Sequence, residues 1–150
     1  MKHYIYTFLL AILTLSSCSL NSDSNSDSNL PEIIAVEWHL TNVFGGISGV
    51  DNNFELNEIV WEFDEEYGSL TITNTNENDT IEDGFDSGIY SFSVTNQDLN
   101  QFLFINDTEF GNLIIDNSEN EMVIDQNITM NGEAADGYIY TFERVIIYEE

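Results

Sequence analysis

From Ile33 onward the chain alternates between apolar and polar positions with a period of two. Val36, Trp38 and Leu40 fall on one face of an extended segment, with Glu37, His39 and Thr41 on the other. Ile59, Trp61 and Phe63 repeat the pattern against Val60, Glu62 and Asp64. Leu70 and Ile72 alternate with Thr71 and Thr73, and Tyr90, Phe92 and Val94 with Ser91 and Ser93. The runs Phe102–Ile105 and Leu113–Ile115 are apolar on both faces. Met122 and Ile124 follow, and a last run from Tyr138 to Tyr148 sets Tyr138, Tyr140 and Phe142 on a common face. Successive side chains of an extended chain point to opposite sides, so this period is that of half-buried strands. The segments between them, 51–53, 66–68, 74–84, 107–112 and 116–120, are dense in Asn, Asp, Glu and Gly, the residues that accept turn geometry. The pattern predicts an all-β chain of eight strands with no long helix. Sequential strands with short links make an antiparallel up-and-down meander, and eight of them can close into a barrel, which removes the exposed edges.

The first thirty residues follow a different pattern. Lys2 and His3 precede an apolar run from Tyr4 to Leu15, broken only by Thr7 and Thr14. A basic start and about a dozen apolar residues are the marks of a secretory signal, and the run is shorter than the roughly 20 residues a bilayer-spanning helix needs. Leu15-Ser16-Ser17-Cys18 ends it, and Cys18 is the only cysteine of the chain. These four residues resemble the lipobox of bacterial lipoproteins. The resemblance implies cleavage before Cys18, a diacylglyceryl group on its thiol and an acylated new amino terminus. A thiol without a disulfide partner in a secreted chain gains a use in this way. One acyl chain binds a membrane only marginally, whereas two or three on one residue hold it firmly. Asn21-Ser22-Asp23-Ser24 then repeats at once as Asn25-Ser26-Asp27-Ser28. A segment of that composition buries too little surface to offset its ordering entropy, and reads as a flexible tether. Three regions are expected: residues 1–17 as signal peptide, 18–31 as lipidated Cys18 and tether closed by Pro31, and 32–150 as the folded domain. Ser19 stands where inner-membrane lipoproteins of this kind carry a retaining aspartate, so the resemblance implies a lipid anchor in the cell envelope at the outer membrane.

Charge narrows the partners. Without the signal, Arg144 is alone against 28 acidic residues, a formal charge of −27. Such a field repels phosphate backbones and excludes nucleic acid. It also keeps the domain soluble. The same region has one histidine, His39, no lysine and no cysteine beyond Cys18. No Cys/His zinc set can be assembled, and a Ser-His-Asp site would have only His39, which the alternation places on the outward face of its strand as a surface residue. No enzymatic activity, cofactor or metal is expected. The acidic stretch from Asn74 to Asp86 offers hard oxygen donors of the kind calcium takes, but it lacks the glycine at the sixth position of an EF-hand loop and reads as a solvated loop. Within it, Asp79-Thr80-Ile81 resembles a short O-glycosylation motif of bacterial envelope proteins.

Trp38 on the first strand, Arg144 near the end of the last, Asp125-Gln126-Asn127-Ile128, and Ala135-Asp136-Gly137 leading into Tyr138-Ile139-Tyr140-Thr141-Phe142-Glu143-Arg144 resemble the lipocalin-like domains of bacterial lipoproteins. The resemblance implies a lipocalin-like barrel closed where first and last strands meet, with Trp38 and Arg144 at one end. An inward guanidinium there needs a partner, which a tryptophan ring on the adjacent strand can supply; a rim position beside a carboxylate is the alternative. An eight-stranded barrel is wide enough to fill with side chains or to hold one small ligand. In the first expectation a small apolar or amphipathic ligand is lined by Trp61, Phe63, Tyr90, Phe92, Phe104, Tyr138 and Tyr140. In the second, the same aromatics fill the barrel and its surface contacts another envelope protein. An open cavity separates the two.

Replacing the thiol tests the anchor. Cys18→Ser should move the protein from the membrane pellet to the soluble envelope fraction on ultracentrifugation. Persistence in the pellet would refute lipidation as the anchor.

Overall fold

Residues 33–118 and 120–149 are described by a computed structural model. The residues expected as signal peptide, lipidated Cys18 and tether lie outside the described residues. Among the described residues, eleven strands follow one another: β1 (Ile33–Gly45), β2 (Val50–Asn53), β3 (Ile59–Asp64), β4 (Ser69–Asn74), β5 (Gly88–Gln97), β6 (Asn100–Ile105), β7 (Thr108–Asp116), β8 (Glu121–Asp125), β9 (Ile128–Thr129), β10 (Gly132–Glu133) and β11 (Tyr138–Tyr148). Eight of them, in the order β1-β3-β4-β5-β6-β7-β8-β11, pair antiparallel with their neighbours, and β11 returns to β1 to close the sheet. This is the all-β, eight-stranded antiparallel up-and-down barrel expected from the alternation, an architecture consistent with a lipocalin-like barrel. β2 adds to the far end of β1, with Val50 opposite Gly45 and Asn53 opposite Asn42. β9 and β10 form a separate small hairpin.

Turn chemistry sets the hairpins. Asn106 and Asp107 link β6 to β7 with φ of 49° and 61°, the two positive values that a type I′ turn requires. Asp64 and Asp116 each open a four-residue turn, and their Oδ1 atoms accept from the N–H groups of Glu66 and Tyr67 and of Ser118. Each of these turns ends on a left-handed residue, Gly68 or Asn120. Together with the β5–β6 turn they cluster at one end of the barrel.

Two bulges decide which side chains enter. The register of β1 against β11 shifts between Leu40 and Asn42. The extra residue, Thr41, switches parity, so Trp38 and Leu40 point inward before it and Val43 after it, all buried. On β7, Leu103 faces Gly111 while Phe104 faces Glu109. Phe110 is the unpaired residue, and its ring joins the interior cluster. Gly111 beside it cannot carry a side chain without displacement, because a Cβ would lie 2.9 Å from the carbonyl oxygen of Asp125.

The outer face departs from simple alternation where outward side chains are buried. His39 points outward and is nevertheless only 1% exposed. Its Nδ1 accepts from the Asn57 N–H at 3.1 Å, and its Nε2 donates to Glu37 at 3.0 Å, a tautomer that follows from the two partners. The surface position expected for His39 is thus corrected. The excursion 54–58 between β2 and β3 folds over it, with Asn57 at φ 70° and the Phe54 N–H bonded to Thr41 O. Phe102 is also outward and buried. There the β9–β10 hairpin is fixed through Met130, which donates from its N–H to Glu109 and accepts at its carbonyl from Gln97.

Gly→Ala at a position the backbone tolerates stabilises by about 0.4–1 kcal/mol. Gly111→Ala should do the reverse and cost about 1–3 kcal/mol, the range for overpacking. Urea denaturation of the two proteins decides the sign.

An apolar cup at one end of the barrel

The barrel interior divides into a filled half and an open half. In the filled half, Trp61 and Phe142 are fully buried with ring centroids 4.9 Å apart. Phe110 stacks obliquely on Tyr140 at 5.1 Å and on Trp61 at 5.8 Å. The plug is completed by Phe85, from the long connection between β4 and β5, at 5.9 Å from Trp61 and 5.1 Å from Phe110. Such contacts add to the apolar area that each ring removes from water.

That connection is shaped by asparagine. Asn74, Asn76 and Asn78 each accept, through Oδ1, the backbone N–H two residues on. Asp83 Oδ2 accepts from the amides of both Asn74 and Asn76. The acidic segment weighed for calcium is therefore tied by its own amides. Among the described residues no group of three or more His, Cys, Asp or Glu side chains is placed to hold a metal ion. Gly84, at φ 92°, brings the chain against Trp61 and Tyr140, and Glu82 accepts the Tyr140 hydroxyl at 2.9 Å. Burial first, and the Glu82 carboxylate second, push the Tyr140 pKa far above that of an ordinary tyrosine.

One step along the strands toward the three clustered turns, the interior opens into a cup of about 580 Å³. Its walls are Phe63 and Phe92, packed edge-to-face at 4.9 Å, with Trp38 on β1 and Val94 on β5. Leu113, Ile115 and Met122 complete the apolar lining. Polar groups stand at the rim: Glu65, Asn96 and Gln101. The Gln101 amide donates to Asn96 Oδ1 at 3.1 Å. The volume falls in the range of pockets that enclose one small molecule.

The residues singled out for ligand lining thus separate. Phe63 and Phe92 line the cup. Trp61 and Tyr140 are core of the filled half, as are the partly buried Tyr90 and Tyr138 that pack against it. Phe104 lies on the outer face, because Leu103 and Ile105, on either side of it, take inward positions of β6. Trp38 and Arg144 are directly opposite each other where β1 and β11 close the barrel. The guanidinium turns toward the β7–β8 hairpin, where Nη1 donates to Asn117 Oδ1 at 2.9 Å and Nη2 to Asn120 Oδ1. The Arg144 N–H also donates to Asn120 O. Leu113, Ile115 and Met122 fall in strands legible from the sequence, but their place in the cup depends on height along the barrel axis, which alternation does not encode.

No protein-family model, no curated protein and no solved structure matches this chain.

The Tyr140–Glu82 contact makes stability depend on alkaline pH. Unfolded tyrosine ionises near pH 10, whereas Tyr140 keeps its proton in the folded barrel. Its contribution is complete below about pH 10 and is lost as the pH climbs beyond that value. Glu82→Gln removes one of the causes of the raised pKa. The variant should lose less stability between pH 9 and pH 11 than the parent, measured by thermal melts at each pH. An identical slope in both proteins would dissociate Glu82 from the titration.

Proposed function

We propose that this chain is a lipid-anchored envelope protein whose barrel holds a small apolar or amphipathic ligand in the open cup. The observation that carries the reading is the cup itself: an apolar, partly enclosed space beside a half-barrel filled with aromatic rings. A filled barrel with a purely structural purpose has no need to leave Phe63, Phe92, Val94 and Ile115 facing an opening, since exposed apolar surface costs stability that burial would supply. The anchor half of the proposal is supported by the residues around Cys18. Acylation there would place the domain at a membrane, where apolar ligands partition.

The second reading, a protein that contacts another envelope component, is favoured by the apolar residues exposed near the same end. Ile33, Ile34, Val36 and Tyr148 are exposed where β1 and β11 run on past their other neighbours. The two readings differ in what filling the cup does.

A neutral naphthylamine dye should bind the Cys18→Ser chain with a rise in dye fluorescence and quenching of Trp38. Val94→Trp, which places an indole in the opening, should weaken that binding by at least tenfold while leaving the melting temperature within a few degrees. Equal dye binding by both proteins would remove the cup as the ligand site and leave the partner-contact reading.

A further inference from the structure

The chemistry of the rim goes further than an apolar pocket. Resting on the cup as ligand site, we infer that its ligand carries a protonated amine on an apolar body, and that Glu65 at the rim receives the amine. Glu65 is the only acidic or basic side chain among the cup's lining residues. It sits in the β3–β4 turn, where its neighbour Asp64 is occupied in accepting the Glu66 and Tyr67 N–H groups. Glu65 itself has neither a hydrogen-bond nor an ion-pair partner among the described residues.

An anionic head finds no counterpart in the same place. Arg144 is the only Lys or Arg among the described residues. Two of its nitrogens are committed to Asn117 and Asn120, its Nε is buried, and it is not part of the lining. The rim amides take neither side: with Gln101 Nε2 bonded to Asn96 Oδ1, Gln101 Oε1 remains an acceptor and Asn96 Nδ2 a donor at the mouth, so the charge of Glu65 decides. The net negative charge of the domain adds a field of the same sign, and a low-dielectric opening lined by one sign of charge concentrates it. An apolar wall and a lone carboxylate are complementary to a cationic amphiphile. They oppose a fatty-acid-like anion by leaving two like charges together.

Three probes with one body separate the possibilities: dodecylamine, dodecanol and dodecanoate, each below its micellar concentration. They compete with the naphthylamine dye on the Cys18→Ser chain at pH 7 and low salt. The amine should displace the dye at a concentration at least tenfold below dodecanoate, with the alcohol between them. Glu65→Gln should bring the amine to the level of the alcohol and leave the alcohol unchanged. Glu66→Gln, which removes an adjacent carboxylate outside the cup, should leave the advantage of the amine intact. An amine no better than the alcohol, or a carboxylate that binds best, overturns the inference while the cup stands. Equal erosion by Glu65→Gln and Glu66→Gln overturns the assignment to Glu65 in favour of the diffuse field. Failure of all three probes to displace the bound dye removes the cup reading itself.

Discussion

β1 and β11 remain paired from Ile33 opposite Tyr148 to Gly45 opposite Tyr138, and the rest of the barrel depends on that seam holding. An open eight-stranded sheet of this sequence would leave two long edges, both rich in β-branched and aromatic residues and each able to pair with another chain. Closure removes them and at the same time creates an inside. Only with β11 against β1 do Phe142 and Tyr140 meet Trp61 and Phe110, and only then does Trp38 become a wall of the cup. The seam bends at Thr41, and the bend lets one strand serve β3 at its middle and β2 at its end.

Within that closed sheet, large rings and small residues divide the space. Trp61, Phe85, Phe110, Tyr140 and Phe142 fill one half, and Gly84 and Gly111 give way where the chain or a neighbouring strand comes too close for a side chain. The other half has no comparable plug. The β4–β5 connection, which supplies Phe85, is thirteen residues long (75–87). The turns at the opposite end have two to four residues and cannot reach inward. Loop length at the two ends, as much as side-chain size, decides which half stays open.

Most of this architecture was legible in the sequence, and the failures have physical causes. Six of the eight staves were legible because they alternate apolar and polar positions, and β6 and β7 because short apolar runs stand between turn-rich segments. β2 escaped because Val50-Asp51-Asn52-Asn53 has one apolar residue, and β9 and β10 because two residues have no period. In Phe102–Ile105 every position is apolar, so alternation could not say that Leu103 and Ile105, rather than Phe102 and Phe104, face the core. His39 was misplaced because its cover comes from the excursion 54–58, remote in sequence and irregular in structure. Phe110 sits in a bulge, which by its nature breaks the pattern that finds strands. The site was less legible than the fold. Side-chain direction follows from parity, but depth along the axis follows from strand tilt and register, and depth is what separates Phe63 and Phe92 in the cup from Trp61 and Tyr140 in the core.

The position of Arg144 has a consequence for proteolysis. Beyond Lys2 it is the only residue after which a trypsin-like enzyme can cut, and the bond lies inside the seam. Its own N–H is held by Asn120, its side chain ties down a neighbouring hairpin, and Trp38 faces it across the strands. A protease needs several residues extended and free, so it can act only on molecules in which β11 has peeled from β1. Where reclosing outpaces cleavage, the rate of cutting reports the population of that opened form. A chain with almost no basic residues thus carries, at the one tryptic bond within its barrel, a built-in gauge of how often the barrel comes apart.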